Sequence, residues 1–149
     1  MSQPIIHLYE VTILEHHLDA YGHVNHVAYI SLFEQARWEM VHQAGCGLEY
    51  VHQTGVGPVV VEIKTKFRKE LRLRQKVKIR SQMVQWHSKI GTIRQTIIDD
   101  QGVVYCDALI TLGMFDMKLR KLVSADDKWA AAMGVEFKSD SPQSLKPGK

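Results

Sequence analysis

Apolar residues recur along the chain with two different periods, and the change of period separates the predicted elements. The chain opens with an apolar run of strand length, IIHLYEVTIL. After a polar connection, apolar residues recur at spacings of three and four, which indicates a helix with one buried stripe. The stripe consists of Tyr29, Phe33, Ala36, Met40 and Ala44. Asn25 or His26 would begin this helix, because asparagine is a good N-cap, and Gly45 or Gly47 would end it.

From Gly57 onward the period is two, which is typical of half-buried strands. One face of the first of these strands presents Val59, Val61, Ile63, Thr65 and Phe67. The same alternation recurs from Val77 to Met83 and from Val104 to Met114, and the sequences WHSKIG and DDQG supply hairpin turns. A last short helix is expected from Ala125 to Met133, with Ser124 as its cap.

The order of the predicted elements is a strand, a long helix, four strands in a meander and a short helix, which indicates an α+β fold. A strongly curved antiparallel sheet can wrap around one helix. The edges of such a sheet are often covered by a second subunit. One domain is expected over residues 4–136, and the polar segment KSDSPQSLKPGK predicts a disordered tail at 137–149.

The composition is that of a single globular domain, with 149 residues of which 45% are hydrophobic and 23% charged. No apolar run approaches the ~20 residues that span a bilayer, and the N-terminal sequence does not match a secretory signal. We therefore expect a cytoplasmic protein without stable membrane association. Cys46 and Cys106 are expected as packed thiols rather than a disulfide.

The formal net charge of +3 is unevenly distributed along the chain. Between Lys64 and Arg80, the segment KTKFRKELRLRQKVKIR contains nine basic residues and one glutamate. Such a block can attract phosphates, either on nucleic acid or on a phosphorylated cofactor. Nucleic acid is not the expected partner, because the block lacks the interleaved aromatic residues of single-strand binders and alternate residues face the core.

The connection before the long helix, HHLDAYGHVNHVAY, contains four of the eight histidines and admits three interpretations. A zinc site needs three or four converging ligands, and the spacing argues against it, since His16 and His17 are neighbours that point apart. A structural connection rich in turn-forming residues is the interpretation we favour for these two histidines.

The third interpretation combines Asp19 with the start of the helix. The N–H groups of a first helical turn can stabilise an oxygen that becomes anionic. A carboxylate a few residues upstream can act as nucleophile or base, and Gly22 allows the chain to turn between the two. Together these groups are the minimum requirement for acyl transfer.

The segment HLDAYGHVNHVAYISLFEQARW, from His17 to Trp38, resembles the signature of hotdog-fold acyl-CoA thioesterases of the 4-hydroxybenzoyl-CoA thioesterase type. It is especially similar to the long-chain acyl-CoA thioesterase III group. The resemblance continues through VVVEIKTKFRKE and VVYCDALITLGMFDMKLRK, so it covers about residues 5–122. One departure is His26, because that group has a second asparagine at this position.

The resemblance implies a hotdog fold, with a curved five-stranded antiparallel sheet wrapped around one long central helix. It implies a homodimer with the active site at the subunit interface, and it leaves pairing into a homotetramer undecided. The implied reaction is hydrolysis of medium to long acyl-CoA thioesters, with no cofactor and no metal. Asp19 would be the nucleophile or the base, and the backbone N–H of His26 would stabilise the oxyanion. A non-catalytic acyl-thioester-binding protein and a thioesterase for aromatic or short acyl groups are the alternatives.

Further residues are expected around the substrate. The candidates are His23, Asn25, Tyr29, Lys66, Arg68 and Lys69. The first two would hold the loop by hydrogen bonds, the tyrosine would line the acyl pocket, and the three basic residues would bind the phosphates of CoA. Glu34 is expected to be a buried glutamate paired with Arg37, one helical turn later.

Overall fold

The computed structural model describes residues 5–135, so the tail predicted at 137–149 lies outside the described residues. The elements are, in chain order, β1 (His7–Thr12), α1 (His26–Gln43), α2 (Leu48–Thr54), β2 (Val56–Phe67), β3 (Lys76–His87), β4 (Ile90–Ile98), β5 (Val104–Asp116), β6 (Lys121–Leu122) and α3 (Asp127–Ala132). A 3-10 turn at Glu15–His17 lies between β1 and α1.

The strands form one antiparallel sheet in the order β1-β3-β4-β5-β2, with the short β6 paired to the end of β5. The predicted α+β class is confirmed, but the predicted four-strand meander is wrong, because β2 pairs with β5 and not with β3. The connection at residues 68–75 is no hairpin. Its Leu71 is fully buried, and the carbonyl oxygen of Leu71 accepts a hydrogen bond from the Val24 N–H at 3.1 Å. The connection therefore crosses to β3 next to the start of α1.

Helix α1 packs its apolar stripe against one face of the sheet. Tyr29, Phe33 and Ala36 are buried as the spacing predicted, and they share a core with the inward residues of β3, β4 and β5. Met40 is only partly buried, and Ala44 is exposed because the helix ends at Gln43. An amphipathic helix of this kind buries its one apolar stripe against one face of the sheet.

Strand β2 contains a β-bulge that the alternation did not predict. The pairing with β5 shifts between Val60 and Glu62, so Val61 has no partner. As a result, Val60 lies opposite the buried Leu112 and shares the helix-side face with Ile63. The prediction that Val59, Val61 and Ile63 share one face is therefore wrong.

The ends of the helices agree with the sequence in part. Gly45, just beyond α1, adopts a positive φ of 81°, as expected for a glycine that ends a helix. The short helix α2 was not predicted. Asp126, and not Ser124, caps α3, because its Oδ1 accepts a hydrogen bond from the Trp129 N–H at 2.8 Å. The Ser124 hydroxyl instead contacts the hydroxyl of Ser88.

Both cysteines are buried and free, as expected for packed thiols. Burial raises the pKa of the Cys106 thiol to about 12, so it remains protonated. Within residues 5–135, every helix falls short of the length and apolarity needed to cross a bilayer.

Candidate active site

The connection between β1 and α1 folds into a tight loop around Asp19. The backbone N–H of Asp19 donates to the carbonyl oxygen of His23 at 3.0 Å, and the Gly22 N–H donates to the carbonyl oxygen of Asp19 at 3.2 Å. Gly22 has a φ of 81°, a left-handed conformation that favours glycine. The predicted turn at Gly22 is thus confirmed, and it holds Asp19 close to the start of α1.

The carboxylate of Asp19 is fixed by two groups of its own loop. Its Oδ1 accepts a hydrogen bond from the Tyr21 N–H at 2.8 Å, and its Oδ2 lies 3.6 Å from the Nδ1 of His23. The Tyr21 ring stacks on the His23 ring with 5.9 Å between centroids. The Asp19 side chain is 20% exposed, so the carboxylate is held in place and still accessible.

The first turn of α1 leaves one backbone N–H group free to bind a ligand. Asn25 caps the helix as predicted, with its Oδ1 accepting from the Val27 N–H at 2.8 Å. The N–H groups of Ala28 and Tyr29 both donate to the carbonyl oxygen of Asn25. Within residues 5–135, the His26 N–H has no acceptor. This amide has the geometry of an oxyanion donor at the positive end of the helix.

Asp19 and His26 line one open groove of about 310 Å³ between the loop, the helix start and the chain just after β2. The lining consists of Asp19, His23, Val24, His26, Tyr29, Phe67, Arg68, Lys69 and Glu70. Six of the predicted site residues therefore meet in one place. Asn25 acts as the helix cap and does not line the groove.

Lys66 also lies away from the groove. It immediately precedes Phe67, which lines the groove, and successive side chains of a strand point to opposite faces. On the outer face of the sheet, Lys66 lies opposite Asp107 of β5. Lys66 is thus absent from the groove lining, whereas Arg68 and Lys69 are part of it, although the sequence grouped all three as candidates for phosphate binding.

Phe67 is the main groove residue that the sequence analysis did not select. Its ring packs edge-on against Tyr29 with 5.2 Å between centroids, and it is 53% exposed. The sequence signal that could have identified Phe67 is an apolar residue at the end of a strand, between the basic residues Lys66 and Arg68. Burial raises the pKa of Tyr29 to about 12, so the wall formed by these two rings remains uncharged.

Two basic residues follow Phe67 and are anchored through their backbone. The N–H groups of Arg68 and Lys69 both donate to the carbonyl oxygen of Tyr105, at 2.9 and 3.1 Å. The Arg68 guanidinium lies 3.5 Å from the Asp107 carboxylate, and the Lys69 ammonium lies 5.8 Å from the centre of the Tyr105 ring. Both cations therefore line the groove at fixed points of the chain.

A second cavity of about 320 Å³ lies between the C-terminal half of α1 and the first residues of β2. It is lined by Glu34, Arg37, Trp38, Met40, Val41, Pro58, Val59, Val60, Leu112 and Met133. The lining is mostly apolar. The groove lies between the start of α1 and the end of β2. This cavity lies farther along both elements, between the C-terminal half of α1 and the start of β2.

The predicted pair of Glu34 and Arg37 is absent from the described residues. Glu34 is exposed, and the Arg37 guanidinium donates from Nη1 to Oε1 of Gln95 at 2.8 Å. Gln95 is fully buried and donates to the Phe33 carbonyl oxygen and the Ser81 hydroxyl. Arg37 thus bonds to the sheet rather than to its helix neighbour. Burial lowers the pKa of Arg37, and the nearby charge of Glu34 opposes this effect.

The histidines of the loop have separate surroundings. The rings of His16 and His17 are in contact, with 4.0 Å between centroids, whereas His23 and His26 line the groove. Among residues 5–135, no three side chains of His, Cys, Asp or Glu are grouped as a metal site requires.

A curved antiparallel sheet around a long helix, with a carboxylate and a free helix-start amide in one groove, defines a hotdog domain equipped for acyl transfer. The profile of the thioesterase-like superfamily matches residues 13–133. The chain belongs to this superfamily. The long-chain acyl-CoA thioesterase FadM of Escherichia coli K12 is 30% identical over 118 residues, which is 78% of this chain and 89% of that protein.

Solved structures show the same fold. The probable thioesterase YbaW from Escherichia coli superposes with a TM-score of 0.75 at 28% identity, over 87% of this chain and 99% of YbaW. A putative oleoyl thioesterase from Lactobacillus plantarum gives a TM-score of 0.84 at 18% identity, over 95% of this chain and 56% of that chain. The second likeness concerns the fold alone.

Proposed function

We propose that the protein hydrolyses acyl-CoA thioesters of medium to long chain length to the free acid and CoA. The observation that supports this most directly is the shared groove, which is lined by Asp19 and by His26, whose backbone N–H has no acceptor within residues 5–135. Membership of the thioesterase-like superfamily supports the reaction type. The 30% identity to a long-chain acyl-CoA thioesterase supports the acyl class.

In this proposal the carbonyl oxygen of the thioester accepts a hydrogen bond from the His26 N–H. The positive end of the α1 dipole further stabilises the oxygen as it becomes anionic. Asp19 either attacks the carbonyl carbon or removes a proton from the water that attacks it. Tyr21 and His23 hold the carboxylate in place for both routes.

The remaining groove residues suit the two ends of the substrate. Phe67 and Tyr29 form an apolar wall beside the reacting carbonyl. Arg68 and Lys69 provide positive charge for a phosphate of CoA. Lys66 plays no part in this proposal, because it does not line the groove.

We further propose that two copies pair through β2 to complete the site. This strand is an edge of the sheet, and an unpaired apolar edge is a template for another strand. The exposed apolar residues along β2 are Val59, Val60, Val61, Ile63 and Phe67. Antiparallel pairing about a two-fold axis near the middle of β2 would bring the end of one β2 to the start of the other. The groove of one copy would then meet the apolar cavity of its partner, which would hold the acyl chain.

The test is CoA release from palmitoyl-CoA, measured with a thiol reagent, for the wild type and Asp19→Asn. We expect the variant to lose at least about a hundredfold in kcat, because the amide is neither a nucleophile nor a base. Parallel assays with C4 to C18 acyl-CoAs should give the highest kcat/KM for long chains. An Asp19→Asn protein that retains most of its turnover would remove the proposed role. Saturable binding without CoA release by the wild type would identify a binding protein instead.

A further inference from the structure

The imidazole of His26 has no structural role that the described residues reveal. Its side chain is exposed, and the cap of α1 is formed by Asn25. Within residues 5–135 the ring takes part in no hydrogen bond and no ion pair. His26 nevertheless lines the groove that contains Asp19, and its exposed side chain begins there. A histidine in this position is available for chemistry.

The position of His26 relative to the reacting carbon follows from its backbone. Under the proposed function, its N–H binds the oxygen of the thioester carbonyl, and the sulfur of the leaving group is attached to the same carbon. The His26 side chain begins two bonds from that nitrogen, so we place it beside the carbonyl carbon and the sulfur attached to it. His23, by contrast, approaches the Asp19 carboxylate with its Nδ1 at 3.6 Å, on the side of the nucleophile or base.

The other titratable groups of the groove are less suited to give a proton to sulfur. Asp19 is engaged with the attacking group, and Glu70 contributes a second carboxylate. Tyr29 has its pKa raised to about 12 by burial, and Arg68 and Lys69 are assigned to a phosphate of CoA. Histidine is the side chain that readily gives up a proton near neutral pH.

On this basis, and resting on the proposed function, we propose that the His26 side chain is the general acid that protonates the departing CoA thiolate. As the tetrahedral intermediate collapses, the C–S bond breaks and its electron pair goes to sulfur. The imidazolium N–H proton of His26 moves to that sulfur, which gives the free thiol, and the neutral ring regains a proton from solvent. The backbone N–H and the side chain of one residue thus serve two different atoms of the substrate.

The test is His26→Asn, which keeps the backbone N–H and removes the proton donor. With palmitoyl-CoA, kcat should fall about tenfold to a hundredfold, at or below the lower end of what a general acid contributes, because a thiolate is already a good leaving group. With an activated aryl thioester, such as the decanoyl ester of 4-nitrothiophenol, the thiolate departs without a proton and kcat should change less than about twofold. His16→Asn is the matched control, since this histidine lies in the same connection outside the groove.

Three results would overturn the proposal: unchanged kcat with both substrates, an equal loss with both, or a change confined to KM for CoA esters. An equal loss would point to an effect on the oxyanion site, and a KM effect would indicate contact with the CoA moiety. Failure of the proposed function looks different, because the wild type itself would then release no CoA. Asp19→Asn should be inactive with both substrates, which separates the attacking group from the proton donor.

Discussion

At the scale of single residues, His17 links Leu14, just after strand β1, to the start of α1. Its Nδ1 accepts a hydrogen bond from the Leu14 N–H at 2.9 Å, and its carbonyl oxygen accepts one from the Asn25 N–H at 2.9 Å. Burial lowers the pKa of the His17 ring, and the neighbouring His16 adds to the effect. Since Nδ1 must be unprotonated to accept this bond, the folded protein favours the neutral ring.

This bond predicts how stability depends on pH. Above the ordinary histidine pKa of about 6.5, the ring is neutral in both states and the bond is intact. As the pH falls below that value, the unfolded chain binds the proton first, so the free energy of unfolding declines. His17→Asn keeps an acceptor that does not titrate. We expect it to lose less stability than the wild type between pH 8 and pH 5.5, measured by urea unfolding.

The control for this prediction is His52→Asn, because His52 is exposed on α2. It should reproduce the wild-type loss of stability on acidification. The prediction fails if His17→Asn is destabilised by acid as strongly as the wild type. Stability of His17→Asn at pH 8 should lie within about 1 kcal/mol of the wild type, because the backbone N–H of Leu14 keeps a partner.

Which residues of the site could be predicted depends on how far apart the interacting groups are in sequence. The cap at Asn25 and the turn at Gly22 follow from preferences that act over a few positions. The environment of Arg37 does not, because its hydrogen-bond partner Gln95 lies 58 positions away. Glu34 was assigned to Arg37 from helical spacing alone, whereas packing against the sheet determines the actual bond.

At the scale of elements, the cap of α1 both stabilises the helix and orients the free amide. Asn25→Asp should preserve the cap and the free energy of unfolding, because aspartate caps as well as asparagine and favours the helix dipole. The added negative charge would oppose the oxyanion bound one residue later, so we expect kcat to fall about tenfold or more. Urea unfolding and the CoA-release assay measure the two effects separately.

The matched control lies in another helix. Asp126 caps α3, and α3 is absent from the groove lining. Asp126→Ala should cost about 1 kcal/mol of stability and leave kcat unchanged. Wild-type kcat in Asn25→Asp would contradict the view that this end of α1 stabilises negative charge in the transition state.

The elements themselves were predictable where one periodicity dominates. The stripe of α1 and the buried faces of β3 and β5 follow from local patterns, since apolar positions set which side packs. The position of β2 in the sheet does not follow from a local pattern. Its pairing with β5 depends on the connection at residues 68–75, which crosses to β3 and buries Leu71 in the core next to the start of α1. The bulge at Val61 is also a property of the strand pair and cannot be read from β2 alone.

At the scale of the whole molecule, the groove and the apolar cavity lie at opposite ends of the space between α1 and β2. Within one chain, Phe67 borders the groove and Val60 borders the cavity, seven strand positions apart. At about 3.3 Å per residue, this separation is roughly 23 Å. Pairing through β2 would shorten the path, because the cavity of the second copy would lie beside the first copy's groove. The arrangement predicts that each acyl chain enters the cavity of the other subunit.

Mixed dimers distinguish this arrangement from an acyl pocket within one chain. Asp19→Asn removes the attacking group, and Val60→Trp fills the cavity, so each variant alone should be inactive towards palmitoyl-CoA. After equal amounts are unfolded together and refolded, half of the dimers contain one copy of each. In such a dimer, the Asp19 of the second variant faces the open cavity of the first, so one site of two is intact. About a quarter of the wild-type activity should return.

If the acyl pocket belonged to the same chain as Asp19, every active site in the mixture would carry one of the two substitutions, and no activity would return. Size-exclusion chromatography must show that both variants still dimerise, because Val60 lies on the edge strand as well as in the cavity. Glu34→Trp provides a second way to fill the cavity from the exposed side of α1. Recovery with both cavity variants would require that the two subunits share each active site, since neither parent chain supplies a complete one.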